Sequence, residues 1–187
     1  MCIKIYMSEV NKCIDVIKSG GIILYPTDTI YGLGCDALNM NATKRINIIK
    51  GSNPKKPLIY LMKDLDMIKK YVKNIPDFAV DFLLQKTPTT LIFKNLKSQK
   101  LSTKSIALRI PKNKLCLDII SGLNSPITST SANITGSPYP KNRYELNEKI
   151  INQVDYFVKT DKDSILKPST IIEIKDDSNF EIIRQYE

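Results

Sequence analysis

Residues 21–34 read Gly-Ile-Ile-Leu-Tyr-Pro-Thr-Asp-Thr-Ile-Tyr-Gly-Leu-Gly, and the first five form an apolar, β-branched run with the pattern of a central strand. A second apolar pair, Pro126-Ile127, leads into Thr128-Ser-Thr-Ser-Ala-Asn133. Both segments deliver hydroxyls, amides and bare backbone N–H groups at a strand end, where α/β proteins bind ligands. The chain has no histidine. Chemistry at such a site therefore rests on charge, hydrogen bonding and positioning.

Working outward, Val10, Cys13, Ile14 and Ile17 recur at helical spacing, with Ser8 as the expected N-cap and Gly20-Gly21 as the stop. Gly32-Leu-Gly34 is expected to turn, and Asn41 or Thr43 to cap a second helix carrying Ala42, Ile46 and Ile49. A strand is expected over 57–62, then helices over 65–72 and 78–85. Further strands fall at 90–93, 106–110, 127–129, 156–158, 170–174 and 181–184, with helices over 115–121 and 144–154. Strands alternating with helices predict a single α/β domain, residues 1–187, built on a mixed sheet.

Composition narrows the function. With 28 Lys+Arg against 19 Asp+Glu the formal net charge is +9, which suits a nucleotide, a nucleic acid or an acidic surface, and equally suits a lysine-rich solubilising surface. Cys2, Cys13, Cys35 and Cys116 form no CxxC pair. Without histidine the thiolate–imidazole zinc patterns are excluded, and no metal ligands are assigned. These features predict reduced thiols in a cytoplasmic protein. Lys4 and Glu9 interrupt the start, so no signal peptide is expected, and no apolar run is long enough for a membrane span.

Phosphate binding has three candidate carriers. Gly32-Leu-Gly34-Cys-Asp-Ala37 matches a loose dinucleotide fingerprint, but five residues separate the strand end from Gly32 and the next helix starts too late, so a Rossmann site is not expected. No GxxxxGK[ST] loop exists. Lys44 and Arg45 suit a solvated helix face. Lys50-Gly-Ser-Asn-Pro-Lys-Lys-Pro57 begins at a helix end and continues as a loop, where a lysine beside glycine can reach a triphosphate. Lysines there also suit complementation of the helix dipole. The hydroxyls of 128–133 suit either a phosphate or a self-satisfied Ser/Thr turn.

Taken together, these blocks resemble the YrdC-like family of threonylcarbamoyl-AMP synthases in its short, single-domain form. The matching residues are Tyr25-Pro-Thr-Asp-Thr-Ile-Tyr-Gly-Leu-Gly-Cys-Asp36, Lys50-Gly51 with Pro57-Leu58, and Ile106-Ala-Leu-Arg-Ile-Pro111. They continue with Ser129-Thr-Ser-Ala-Asn133 and Gly136, Pro168-Ser-Thr-Ile171, and Arg184. The resemblance implies a twisted mixed sheet with flanking helices around a large positively charged cavity, as in YrdC and DHBP synthase. It implies that L-threonine, bicarbonate or CO2 and ATP, with Mg2+, give threonylcarbamoyl-AMP and pyrophosphate. The product would pass to a tRNA threonylcarbamoyl-transferase complex, and double-stranded RNA or tRNA is a further possible partner.

Carried over by the resemblance, Thr27, Tyr31, Arg109, Ser129 and Ser169 would bind L-threonine, with Arg109 clamping the carboxylate. Lys50, Lys56, Ser105, Ser131, Asn133 and Arg184 would bind ATP, and Lys50, Ser131 and Asn133 would stabilise the reacting phosphates. Alanine at Lys50 or at Arg109 is expected to cut activity strongly and leave the fold intact. The chain departs from the family pattern at Ser52, where an arginine is usual, and at Leu61, where many members have histidine. It departs again at Lys86-Thr-Pro-Thr89, at Tyr139 where serine is common, and at Arg184-Gln-Tyr. Two other readings stand beside the synthase. One is a family paralogue that binds nucleotide without synthesis; the other is a non-catalytic RNA-binding protein, for which no RNP-like or KH-like motif is present.

Overall fold

A computed structural model describes residues 3–97, 104–158 and 167–185. In chain order the strands are β1 (Ile23–Tyr25), β2 (Gly32–Gly34), β3 (Ile59–Leu61), β4 (Thr89–Phe93), β5 (Ile106–Arg109), β6 (Ile127–Ser131), β7 (Tyr156–Phe157), β8 (Thr170–Ile174) and β9 (Phe180–Arg184). The α-helices are α1 (Ile3–Lys18), α2 (Met40–Ile49), α3 (Leu65–Ile68), α4 (Asp77–Leu84), α5 (Lys114–Leu123) and α6 (Glu148–Ile151). The strands form one mixed sheet in the order β7-β1-β2-β6-β3-β5-β4-β8-β9. Pairs β1–β7, β3–β5 and β4–β8 are parallel and the others antiparallel. The expected α/β domain with a mixed sheet is what forms.

Two apolar clusters pack against this sheet. The larger gathers Val10, Cys13 and Ile17 of α1, Ile119 and Ile120 of α5, and Met67, Ile68, Ala79 and Leu83 around α3 and α4. The smaller sets Ala42, Ile46 and Ile49 of α2 against Ile22, Leu24, Leu33 and Ile150. Cys13, Cys35 and Cys116 are free and buried; burial pushes the Cys13 and Cys35 thiols up to about 12, which makes them inert at neutral pH. Cys2 lies outside the described residues. Among the described residues no helix is long and apolar enough to cross a membrane.

Several local expectations shift, each for a tertiary reason. Helix α1 does not start at Ser8 but runs from Ile3, because the Tyr6 hydroxyl donates to Asp118 of α5 at 2.7 Å and holds the first turn down. The cap of α2 is Asn39, not Asn41 or Thr43: its side chain accepts from the N–H groups of Asn41 and Ala42, both at 3.1 Å. The helix expected over 65–72 stops at Ile68, since Val72 bridges to Leu96 and the Tyr71 carbonyl accepts from Lys97 at 2.8 Å. That expected over 144–154 divides into a 3₁₀ turn, Arg143–Glu145, and α6, because the Asn147 side chain caps a new helix start.

Gly32-Leu-Gly34 is a strand, not a turn. Its glycines lie beneath the Tyr25 ring, where a Cβ on Gly34 would sit 2.7 Å from Tyr25 Cε1 and 2.9 Å from the Thr128 carbonyl oxygen. Tyr25 itself is fixed by donating to that carbonyl at 3.1 Å. The glycines therefore serve close packing of a strand under an aromatic ring. Gly34→Ala is expected to lower unfolding free energy by about 1–3 kcal/mol, the usual range for overpacking, measured by denaturant titration.

Candidate active site

The end of α2 explains why Lys50 is followed by glycine. Lys50 is the C-cap, Gly51 adopts φ +62°, and the Ser52 N–H returns to the Asn47 carbonyl at 2.9 Å, a Schellman-type stop. Lys50 thereby leaves the helix pointing inward and is only 6% exposed. Its Nζ donates to the backbone carbonyls of Ser131 and of Asn133 (2.8 Å), and to the Asn133 Oδ1 at 3.2 Å. Ser131 Oγ lies 3.4 Å away. Among the described residues no carboxylate pairs with it. Burial, and then the nearby charge of Lys56, lowers its pKa from the usual lysine value to about 8. Lys56 is itself exposed.

The loop after Gly51 is organised by Asn47, buried on α2. Its Nδ2 donates to the carbonyls of Pro54 (3.2 Å) and Lys56 (2.9 Å), while its Oδ1 accepts from Ser52 Oγ at 3.1 Å. Sequence reading passed over Asn47, and its signal was available: an amide on the apolar stripe between Ile46 and Ile49. Ser52, standing where the family pattern has arginine, turns its hydroxyl into this loop.

The second group of residues shares one sheet face. Residues in register project to the same side. Pairing of Gly32 with Ser131, Ile59 with both Ser129 and Ala107, and Leu61 with Arg109 therefore sets Ser129, Ser131 and Arg109 on a common face. Ser105, half-buried, precedes β5 with the same alternation as Ala107 and Arg109. The β4–β5 register carried one residue further sets Thr90 beside Arg109. Thr90 Oγ1 meets Ser169 Oγ at 2.8 Å, and Arg184 donates through Nε (3.0 Å) and Nη2 (2.8 Å) to the Ser169 carbonyl. Burial, then the neighbouring charge of Arg109, holds the Arg184 pKa below the ordinary arginine value, with Tyr139 partly offsetting this.

Residues 26–31 close the site. Thr27 Oγ1 donates to the Ile30 carbonyl at 2.8 Å, accepts from the Thr29 N–H at 3.0 Å, and lies 2.9 Å from Thr29 Oγ1. Thr29 Oγ1 in turn accepts from Arg109 Nη2 at 3.3 Å. A Cβ on Gly32 would stand 3.1 Å from Ser129 Oγ and 3.3 Å from Thr27 Cγ2, so that glycine leaves the space between the two hydroxyl side chains clear. Arg109 and Asp28 form an ion pair at 2.8 Å with both side chains 4% exposed. Arg109 Nε is buried without a partner.

The expected residues thus fall into three local groups: Lys50, Ser131 and Asn133; Thr27, Ser129 and Arg109; and Ser169 with Arg184, which sheet register sets beside Arg109 through Thr90. Tyr31 is buried, packs in the smaller apolar cluster with Leu24, Leu33 and Ile46, and accepts through its carbonyl from the Ala132 N–H at 2.9 Å, beside Ser131. Leu61 is fully buried in the larger cluster. The expectation that Arg109 can be replaced by alanine without cost to the fold is corrected: truncation would strand the buried Asp28 carboxylate, a change typically worth about 3–5 kcal/mol.

Comparison with known proteins bears on this arrangement. Residues 15–185 match the Sua5/YciO/YrdC family model, described as telomere recombination. A protein of Methanocaldococcus jannaschii, named as a candidate threonylcarbamoyl-AMP synthase, is 33% identical over 94% of this chain and 88% of its own length. The crystal structure of Pyrococcus abyssi Sua5 complexed with L-threonine has a TM-score of 0.83 and 27% identity, covering 95% of this chain and 54% of that one. This chain therefore spans about half the length of that Sua5. Escherichia coli YciO gives a TM-score of 0.80 and 28% identity, covering 95% of this chain and 88% of that one. Sequence and fold agree over nearly the whole length, and the chain belongs to the Sua5/YciO/YrdC family.

Proposed function

We propose that this protein is an L-threonylcarbamoyladenylate synthase, a nucleotidyltransferase that makes threonylcarbamoyl-AMP and pyrophosphate from L-threonine, bicarbonate or CO2, and ATP. The observation that carries this reading is Lys50, a buried cation caged by carbonyls and lacking a carboxylate. Such a charge is costly to bury, and an anionic ligand would offset the cost. Its immediate neighbours, Ser131 and Asn133, supply hydroxyl and amide donors suited to phosphate oxygens. The name of the M. jannaschii relative, that of a P. abyssi relative called threonylcarbamoyl-AMP synthase, and the L-threonine bound to P. abyssi Sua5 support the same activity.

The chemistry asks little of protein acids and bases. The neutral threonine amine would combine with CO2 and release a proton to solvent, giving a carbamate anion whose oxygen attacks the α-phosphorus as the bond to pyrophosphate breaks and pyrophosphate leaves. Holding the two reactants in line can supply about 7–11 kcal/mol of the barrier. Thr27, Ser129 and Ser169 would position threonine, and Arg109 would meet its carboxylate. Lys50, Ser131 and Asn133, with Lys56, Ser105 and Arg184, would hold the nucleotide and meet charge growing on the phosphates. Mg2+ would enter with ATP; among the described residues no group of three His, Cys, Asp or Glu could hold a metal ion, so phosphate oxygens and water are its expected ligands. The product would serve a tRNA threonylcarbamoyl-transferase complex in the cytoplasm, and direct RNA contact is a further possibility that the net charge of +9 favours.

A second reading, a nucleotide-binding paralogue without synthesis, draws on two observations. Ser52 spends its hydroxyl inside the loop and supplies no guanidinium, and Leu61 is sealed in the core. Incubation with ATP, Mg2+, L-threonine and labelled bicarbonate separates the two. Threonine-dependent pyrophosphate release is the expected result; nucleotide binding without turnover would favour the paralogue.

Lys50→Ala is expected to lower that turnover by about 10²–10³-fold, the scale for losing one transition-state donor, with the circular dichroism spectrum retained. Nucleotide affinity carries a pH signature as well. Lys50 in the free protein loses its proton near pH 8, whereas a bound phosphate raises that pKa. Binding therefore takes up a proton above pH 8, and affinity should fall by about tenfold per pH unit there. Calorimetry from pH 7 to 9.5 measures this; a flat profile would show that Lys50 does not face the phosphates. Folding stability moves the other way. Below pH 8 both folded and unfolded Lys50 are charged; between pH 8 and 10.5 the unfolded state binds more proton, so the Lys50 contribution to stability improves as pH rises.

A further inference from the structure

Asp28 joins two chain segments at the guanidinium end of the Arg109 side chain. One carboxylate oxygen accepts from Arg109 Nη1 at 2.8 Å and the other from the Lys112 backbone N–H at 2.9 Å. With Thr29 Oγ1 on Nη2 at 3.3 Å, the guanidinium is held at two points by the 26–31 loop. Nε is buried and unpartnered.

We propose that Asp28 is a positioning residue for the amino-acid substrate: it fixes the plane of the Arg109 guanidinium, and with it the N–H donors left to meet the substrate carboxylate. The inference rests on the synthase reading, since the carboxylate concerned is that of L-threonine. Its force comes from an opposition of signs. As a bare counter-ion, Asp28 would compete with a ligand carboxylate for the same positive charge, and its removal would strengthen threonine binding. As a clamp, it removes rotational freedom from a long side chain before the ligand arrives, and its removal weakens binding. The geometry favours the clamp. Both carboxylate oxygens are used, one is anchored on backbone, and Thr29 adds an uncharged second hold that a counter-ion role does not require.

The test is calorimetric titration of wild type, Asp28→Asn, Asp28→Glu and Thr29→Val with L-threonine and, separately, with ATP, alongside the KM for each. Asparagine removes the charge, glutamate keeps it but displaces it by one methylene, and valine leaves the ion pair and removes only the Nη2 acceptor. All three variants are expected to lose threonine affinity, by about tenfold to a hundredfold for the Asp28 changes, with ATP affinity unchanged. Threonine binding that tightens in Asp28→Asn, or returns to the wild-type value in Asp28→Glu, overturns the proposal in favour of a counter-ion. Should Asp28→Asn fail to fold, the Glu and Thr29→Val arms decide on their own. A wild-type chain that neither binds threonine nor releases pyrophosphate refutes the synthase reading and this inference together. A wild type that does both while the variants match it refutes this inference alone.

Discussion

Two cations are buried beside the sheet, Lys50 at the end of α2 and Arg109 on β5, and the surrounding structure supplies each with polar partners. The solutions differ. Arg109 receives a full counter-charge from Asp28 inside a region where both side chains are 4% exposed. Lys50 receives only dipoles, the carbonyls of Ser131 and Asn133 and the Asn133 amide oxygen. Partial charges compensate an ammonium less completely than a carboxylate does, and the pKa near 8 expresses the remainder. The first cation is thus nearly neutralised at rest, and the second is left in want of an anion.

That difference reaches back to elementary features of the chain. Lys50 is delivered inward because α2 ends in a Schellman turn, which Gly51 makes possible by adopting positive φ. Its carbonyl ligands are available because β6 ends at Ser131, beyond which the Asn133 N–H turns back to the Ser131 carbonyl at 2.9 Å. The Thr135 N–H then donates to the Lys50 carbonyl at 2.8 Å, so the helix end and the strand end hold each other in both directions. Asn47, one turn earlier on α2, stiffens the following loop from inside. A helix stop, a strand stop and one buried amide together determine where the charge stands.

Much of this was legible in the sequence. The β-branched run at 21–25 and the helical spacing of Val10, Cys13 and Ile17 placed β1 and α1, and the segment at 127–129 placed β6. Lys50 was marked by its glycine neighbour and its position at a helix end. What escaped depended on contacts distant in sequence. Gly32-Leu-Gly34 looks like a turn to any local rule, and becomes a strand only because Tyr25 and β6 lie on either side of it. The α1 start depends on Tyr6 reaching Asp118, separated from it by 112 residues. Asp28 sat inside the most distinctive motif, yet nothing in the linear string says that its partner is Arg109, 81 residues away. Burial was equally hidden: Arg109 on a short strand before a proline reads as readily as an exposed edge charge.

The distribution of charge around these groups gives the site a direction. Arg109 and Asp28 cancel, whereas among the described residues neither Lys50, beside Ser131, nor Arg184, beside Ser169, is paired with a carboxylate. Register separates them, since Ser131 pairs with Gly32 on β2 while Arg184 pairs with Ile171 on β8, at the far side of β3, β5 and β4. A ligand carrying a polyphosphate and a ligand carrying a single carboxylate make unequal demands on these two positions. The more strongly anionic one gains most at Lys50, where the cation is compensated only by dipoles and Lys56 stands near. The carboxylate gains most near Arg109, where Asp28 already limits the net positive charge and would repel a second anionic group. On the proposed synthase reading, such a gradient would keep ATP and a zwitterionic amino acid side by side without exchanging their places, and among the described residues it is set by a carboxylate beside Arg109 and none beside Lys50.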